Sequence, residues 1–161
     1  MRKIALAFAA AAAVASTPAL AAGTASGDVL VTLSVSSSCS VTAQPLDFGT
    51  VSSFAAAVDA TSSTTVKCTP GAPYEVFLDY GDNAAGGTQR KLNSASASAS
   101  VNYNLYSNSA RTTAWGGAVS GITGTGTGVD QAMTIYGQVP VQAAVAAATD
   151  YQDTVTVTVK Y

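Results

Sequence analysis

The sequence of 161 residues contains no histidine, and Glu75 is its only glutamate. Without imidazole, a Ser-His-Asp triad, a Cys-His pair and histidine-dependent zinc or copper sites are excluded. Asp79 and Asp82 lie beside Gly81 at the end of a strand pattern, which is typical of a solvated turn rather than of a glycosidase carboxylate pair. We therefore expect no catalytic residue, no metal site, no cofactor and no enzymatic activity.

Charge is also scarce, since only 10% of the residues are charged. Without Arg2 and Lys3, which precede an N-terminal apolar stretch, five basic residues face nine acidic ones, a net charge of about -4. A protein that neutralises phosphates needs clustered Lys and Arg, so nucleic acid is not an expected partner.

Long apolar runs are missing apart from a short one near the N-terminus. Arg2 and Lys3 precede the apolar residues 4–15, Pro18 interrupts the stretch, and residues 19–21 form a small-x-small cleavage site. A stretch of this length is typical of a signal peptide and is too short to span a bilayer stably. We assign residues 1–22 to a signal peptide, cleaved after Ala21 or Ala22, and expect an exported protein without direct membrane insertion.

Cysteine is limited to Cys39 and Cys68. In an oxidising compartment a lone pair usually forms one disulfide. A metal site would need further ligands, and no histidine is available. We predict a Cys39–Cys68 disulfide that joins an early strand to the next one.

Short segments of alternating apolar and polar residues recur along the chain, whereas helical periodicity is nearly absent after the signal peptide. The predicted strand segments are 29–35, a short strand at 41, 46–49, 64–68, 74–80, 90–92, 101–106, 133–139 and 155–161. We interpret the Ala-rich residues 55–57 and 143–148, the Ser/Ala residues 94–100 and the Gly-rich residues 116–128 as loops. Seven or eight strands, each with one apolar face, predict an antiparallel two-sheet β-sandwich.

Both ends of the mature chain carry a strand pattern with four apolar residues at alternate positions. These are Val29, Val31, Leu33 and Val35 at one end, and Val155, Val157, Val159 and Tyr161 at the other. A free strand end exposes unpaired backbone donors and acceptors, so it must pair with another strand of the same or of another molecule.

Taken in order, these segments resemble the spore coat protein U domain family, which includes the major subunits of archaic chaperone–usher pili (Csu-type pilins). The resemblance covers nearly the whole mature chain, and it depends on the order and spacing of its segments together. The segments are Ser38–Val41, Leu46–Gly49, Val66–Cys68, Arg90–Leu92, Val101–Tyr106, Ala110–Thr112 before Trp115, Ile135–Pro140 and Tyr151–Tyr161.

The resemblance implies an all-β fold, an incomplete immunoglobulin-like antiparallel β-sandwich completed by a donor strand. Residues 23–38 would be the donor segment, with Val29, Val31, Leu33 and Val35 entering a neighbour, and residues 39–161 the pilin domain. The row at Val155–Tyr161 would be the groove edge that a chaperone engages first, with the terminal carboxylate held by the chaperone.

The resemblance also implies a function. The protein would be a structural subunit of a surface pilus, assembled by donor-strand exchange and supporting adhesion and biofilm formation. Its implied partners are a periplasmic pilus chaperone, an outer-membrane usher and neighbouring copies of the subunit, on a route through the periplasm to the cell surface.

Two other functions stay open at this point. A secreted spore-coat or cell-surface matrix protein would close the sandwich with its own N-terminal strand. A carbohydrate-binding module would stack sugars on Arg111 and Trp115, although a single tryptophan is more often a core or loop anchor.

Overall fold

The computed structural model describes residues 23–117 and 121–161, and the predicted signal peptide lies outside them. Within these residues the chain forms eight strands and one short 3-10 helix, Asp82–Ala84. The strands are β1 (Cys39–Ala43), β2 (Val58–Cys68), β3 (Pro73–Leu78), β4 (Arg90–Ser94), β5 (Ala99–Tyr106), β6 (Ile122–Thr125), β7 (Gln131–Val139) and β8 (Val157–Lys160). None of the helical turns in this part of the chain is long and apolar enough to cross a membrane. The predicted all-β fold is confirmed.

The strands form two antiparallel sheets. The five-stranded sheet has the order β1-β2-β7-β5-β4, and the three-stranded sheet has the order β6-β3-β8. Alternation decides which side chains reach the core: Val101, Tyr103 and Leu105 of β5 are buried, and the residues between them are not. Val76 and Leu78 of β3 contribute fully buried side chains from the other sheet. The two-sheet prediction is therefore correct.

Strand β2 is longer than the alternation at residues 64–68 indicated. Its polar first half is held in the sheet by pairing with the central strand β7, where Asp59 lies opposite Gln138 and Ser63 opposite Thr134. A run of Ser and Thr has little apolar pattern of its own, so only the partner strand defines it.

The interpretation of residues 116–128 as a flexible loop is wrong for β6, which lies within that stretch. Gly124 of β6 lies opposite Tyr74 of β3. A Cβ at Gly124 would overlap the Tyr74 ring, which is 5% exposed. The glycine is a packing requirement of a strand, because it lets an aromatic ring lie across its neighbour.

Three other predicted strand segments differ in the structure. Residues 46–49 form no strand, since Gly49 has a φ of 70° and its N–H donates to Asp47 Oδ1 at 2.7 Å, which bends the chain. Strand β8 is shorter than the predicted 155–161. Residues 23–38 carry no strand at all, and the chain divides after Ser34 into an N-terminal segment and the sandwich.

The predicted disulfide is present between β1 and β2. Cys39 lies directly opposite Cys68 in the strand register, and the two sulfurs are 2.00 Å apart. Cys68 is 1% exposed, so the bridge belongs to the core.

Replacing both cysteines by alanine is expected to lower the free energy of unfolding by about 3–4 kcal/mol, because a crosslink over 29 residues restricts the unfolded chain. Denaturant titration of the oxidised protein, the reduced protein and the double variant measures the loss. The exposed neighbour substitution Ser40→Ala serves as the control. Two free thiols found by mass spectrometry in folded, non-reduced protein would contradict the assignment.

Candidate functional site

The five-stranded sheet is wider than the three-stranded sheet that covers it. The remaining inner face is bordered by two irregular segments, residues 44–57 after β1 and residues 140–156 before β8. Between them lies a cavity of about 480 Å³. Its larger apolar lining residues are Leu46, Phe48, Val51, Phe54, Leu92, Val101, Val139, Val145 and Tyr151. Protein interiors are normally close-packed, so a space of this size leaves room for further side chains.

The first wall of the cavity is held against β7. A Cβ at Gly137 would come within 2.9 Å of Leu46 Cδ1 and 3.0 Å of Phe48 Cζ, so the glycine makes room for both side chains. The Phe48 ring meets the Tyr103 ring edge-on, with centroids 6.1 Å apart. The wall is thus fixed by packing, although it contains no strand.

One end of the cavity is closed through Gln142. Pro140 ends the β7 ladder, because proline has no N–H to donate. The Gln142 side chain then replaces a peptide group: its Nε2 donates to Asn102 O at 3.1 Å, and its Oε1 accepts from Asn102 N at 3.1 Å. The backbone N–H of Gln142 donates to Phe54 O at 3.4 Å, which ties the two irregular segments together.

Three of the four residues predicted for the C-terminal groove edge lie in one row on the same face of the chain. Val155, Val157 and Val159 are partly buried and pack on the core, whereas Tyr161 follows the strand and is 63% exposed. Strand β8 pairs with β3, and in the described residues its other edge has no ladder partner. Some Cα atoms of β1 lie within 8 Å of Cα atoms of β8, but the two strands form no ladder. Among the residues that the structure describes, strand β8 therefore has one edge without a ladder partner, and its inward valines pack on the core.

The predicted N-terminal row is exposed. Val29, Val31, Leu33 and Val35 are 76–88% exposed, and Leu30 between them is 88% exposed. Large apolar side chains clustered in solvent mark an interaction surface or an aggregation site.

Two side-chain anchors hold the chain just before β8. Asp79 N donates to Thr156 O at 3.1 Å, and Thr156 N donates to Asp79 Oδ1 at 2.9 Å. The backbone carbonyl of Asp79 accepts from the Arg90 guanidinium and not from the chain before β8. Arg90 is 4% exposed, and burial lowers its pKa, while Tyr103 and Asp79 act in the opposite direction.

The second anchor is Asp153. Its Oδ2 accepts from Tyr103 OH at 2.6 Å, and its Oδ1 accepts from Asn83 N at 3.1 Å. Burial, followed by the hydrogen bond to Asp153, raises the pKa of Tyr103 above its ordinary value. This pair was not predicted from the sequence. Its one local signal is a tyrosine at an inward strand position, where the hydroxyl needs a partner.

Asp150 is fixed by the turn between β4 and β5. It accepts hydrogen bonds from the Ser94 hydroxyl and from the N–H and hydroxyl of Ser96. These bonds lower its pKa to about 2. The ordinary value is about 3.9, so Asp150 contributes stability above that pH, and the contribution is lost as the pH falls towards 2.

We expect the Asp150 carboxyl to titrate near pH 2 in the folded protein, as observed by carbon-detected NMR. The double substitution of Ser94 and Ser96 by alanine should move the midpoint upwards. Ser98→Ala, which changes the same turn without removing a bond to Asp150, should leave it unchanged. An identical midpoint in all three proteins would show that these bonds do not set it.

The residues considered for sugar binding lie elsewhere in the fold. Trp115 is 0% exposed, and its Nε1 donates to Val76 O at 3.1 Å, so it is a core residue. Arg111 pairs with Asp59 at 3.2 Å and lies over the Tyr136 ring. Trp115 is therefore not available for stacking a sugar, and the Arg111 guanidinium is already engaged by Asp59 and Tyr136. Among the described residues, no group of three or more His, Cys, Asp and Glu is arranged to hold a metal ion.

Comparison with known protein families identifies the family of this chain. Residues 24–158 match the Spore Coat Protein U domain. The chain belongs to the spore coat protein U domain family. No curated protein sequence matches it.

A solved structure supports the same fold for this spore coat protein U domain. The present chain is similar to a chain in the crystal structure of the CsuC–CsuE chaperone–tip adhesion subunit pre-assembly complex from the archaic chaperone–usher Csu pili of Acinetobacter baumannii. The two are 29% identical with a TM-score of 0.59, and the match covers 79% of this chain and 40% of that chain. The sequence-based family and fold are confirmed.

Proposed function

We propose that this protein is a structural subunit of a surface pilus assembled by chaperone–usher donor-strand exchange. The observation that carries the proposal is a complementary pair within one chain. The N-terminal segment 29–35 exposes four alternate apolar side chains. Within the described part of the chain, the sandwich has a strand β8 without a ladder partner on its outer edge, whose valines pack on the core.

The two partners match in length and period. Residues 29–35 and 155–161 each carry four alternating apolar residues over six steps, about 20 Å of extended chain. A strand from a neighbouring subunit added to β8 would pair its backbone with the free edge and place alternate side chains against the core. Each buried side chain contributes about 1.5–3 kcal/mol before the cost of ordering the segment.

The same edge explains the proposed partners. Before assembly, an unpaired edge beside exposed apolar side chains is an aggregation site, so a periplasmic chaperone would cover it. At an outer-membrane usher, the N-terminal segment of the next subunit would take its place. The similar solved structure is itself a chaperone–subunit complex, which supports this order of partners. Adhesion and biofilm formation would follow from the pilus at the cell surface.

The proposal is tested by periplasmic expression with and without a pilus chaperone. Alone, the mature protein should be degraded or should form polymers that give an SDS-resistant, heat-labile ladder. With the chaperone, it should be recovered as a soluble one-to-one complex by native mass spectrometry. A stable soluble monomer obtained without a chaperone, with residues 29–35 protected from hydrogen exchange, would instead identify a self-closed coat or matrix protein.

A further inference from the structure

A single side chain of β5 connects Phe48, which lines the cavity, to the chain just before β8. Tyr103 is 4% exposed. Its ring contacts Phe48, which lines the cavity on one side. Its hydroxyl donates at 2.6 Å to Asp153, which lies two residues before Val155, the first residue of the C-terminal row.

Asp153 has a fixed place in the fold. Its carboxylate lies over Gly81, where a Cβ would overlap it, and Gly81 has a φ of 80°. Asn83 N and Tyr103 OH bind one carboxylate oxygen each. A hydroxyl bound to a carboxylate forms a stronger hydrogen bond than two neutral groups do. The position of Asp153 is therefore determined by residues that lie outside both irregular segments, 44–57 and 140–156.

The chain that follows Asp153 is supported on one side only, by the bonds between Thr156 and Asp79 and by the pairing of β8 with β3. Val155, Val157 and Val159 are only partly buried, and the outer edge of β8 has no ladder partner in the part of the chain that the structure describes. Edge segments of this kind open locally at low free-energy cost. Each opening removes the surface that an incoming strand needs, and apparent affinity falls in proportion to the competent fraction.

We propose that Tyr103 and Asp153 are positioning residues of the donor groove. Their hydrogen bond fixes the start of the C-terminal edge relative to the wall that carries Phe48, so that the groove has its binding shape before a strand arrives. This inference rests on the proposed function.

The test uses the full mature chain carrying V31D and L33D, which removes its own ability to donate a strand. It is refolded with a fluorescent peptide of residues 23–38, and peptide affinity is measured by competition with unlabelled peptide. Tyr103→Phe removes one oxygen and keeps the ring against Phe48. The matched control is Tyr74→Phe, at a tyrosine of β3 that is 5% exposed.

We expect Tyr103→Phe to weaken peptide binding about tenfold, the effect of losing one charge-assisted hydrogen bond, and Tyr74→Phe to leave it nearly unchanged. Asp153→Ala should have a similar effect to Tyr103→Phe, and the double variant should be no weaker than the worse single one. Hydrogen exchange should rise at residues 153–160 and stay constant in β2 and β7. A general loss of stability would raise exchange in all of these strands.

The outcomes separate the two proposals. Equal peptide affinity and equal exchange at residues 153–160 in the Tyr103→Phe variant overturn the positioning role and leave the proposed function standing. Failure of the chain with intact Tyr103 and Asp153 to bind the peptide overturns the proposed function, and the inference with it. If Asp153→Ala does not fold, Tyr103→Phe decides alone.

Discussion

Placing aspartate at both Val31 and Leu33 is expected to abolish polymer formation by the mature protein while the sandwich stays folded. Both side chains are more than 85% exposed in the single chain, so the substitutions cost little there. In a neighbour's groove each would replace an apolar contact of about 1.5–3 kcal/mol by a carboxylate without a partner. The two substitutions thus remove half of the apolar contacts of one joint and add two charges to it.

Loss of the SDS-resistant ladder measures this effect, and an intact Cys39–Cys68 disulfide shows that the domain has formed. The matched control places aspartate at Thr32 and Ser34, on the opposite face of the same segment. That variant carries the same charge and should still polymerise. Normal polymerisation of the Val31 and Leu33 variant would exclude exchange of this segment as the assembly mechanism.

Placing aspartate at Val157 is expected to block the acceptor side in the same way. Val157 lies opposite Leu78 in β3 and faces the core, so a carboxylate there is buried as soon as a strand covers the groove. The N-terminal segment of this variant is unchanged, and the chain should still donate it. Thr158→Asp, on the exposed face of β8, is the control and should polymerise normally.

Mixing the two variants gives the sharpest measurement. The Val157 variant can donate but not accept, and the Val31 and Leu33 variant can accept but not donate. Both are purified as chaperone complexes, and when mixed they should form one-to-one subunit pairs and nothing longer, whereas each alone should stay in its one-to-one complex with the chaperone in native mass spectra. Long polymers from the mixture would show that the groove lies elsewhere on the domain.

Alternation along the sequence was enough to place most of the sandwich. Strands β3, β5 and β7 each carry an apolar residue at every second position over most of their length, and those residues are the ones that the two sheets bury. The disulfide was equally accessible, because two cysteines in a chain that is expected to be exported and has no histidine leave few other options. The order of these segments was also sufficient to recognise the family.

Other elements exist only through contacts between distant residues. Strand β6 is a strand because it pairs with β3, where Gly124 makes room for the Tyr74 ring, and the polar half of β2 is a strand because β7 pairs with it. The sequence around either element has no pattern that reveals the partner.

What the sequence by itself determined is the period of strands such as β3, β5 and β7, the covalent crosslink and the two apolar rows at 29–35 and 155–161. Only the tertiary structure decided that Trp115 is in the core, that Arg90 is buried against the Asp79 carbonyl, and that Tyr103 reaches Asp153 across 50 residues of chain. The physical reason is that the local period indicates which face of a strand is buried. Which groups cover that face depends on packing between segments that are far apart in sequence.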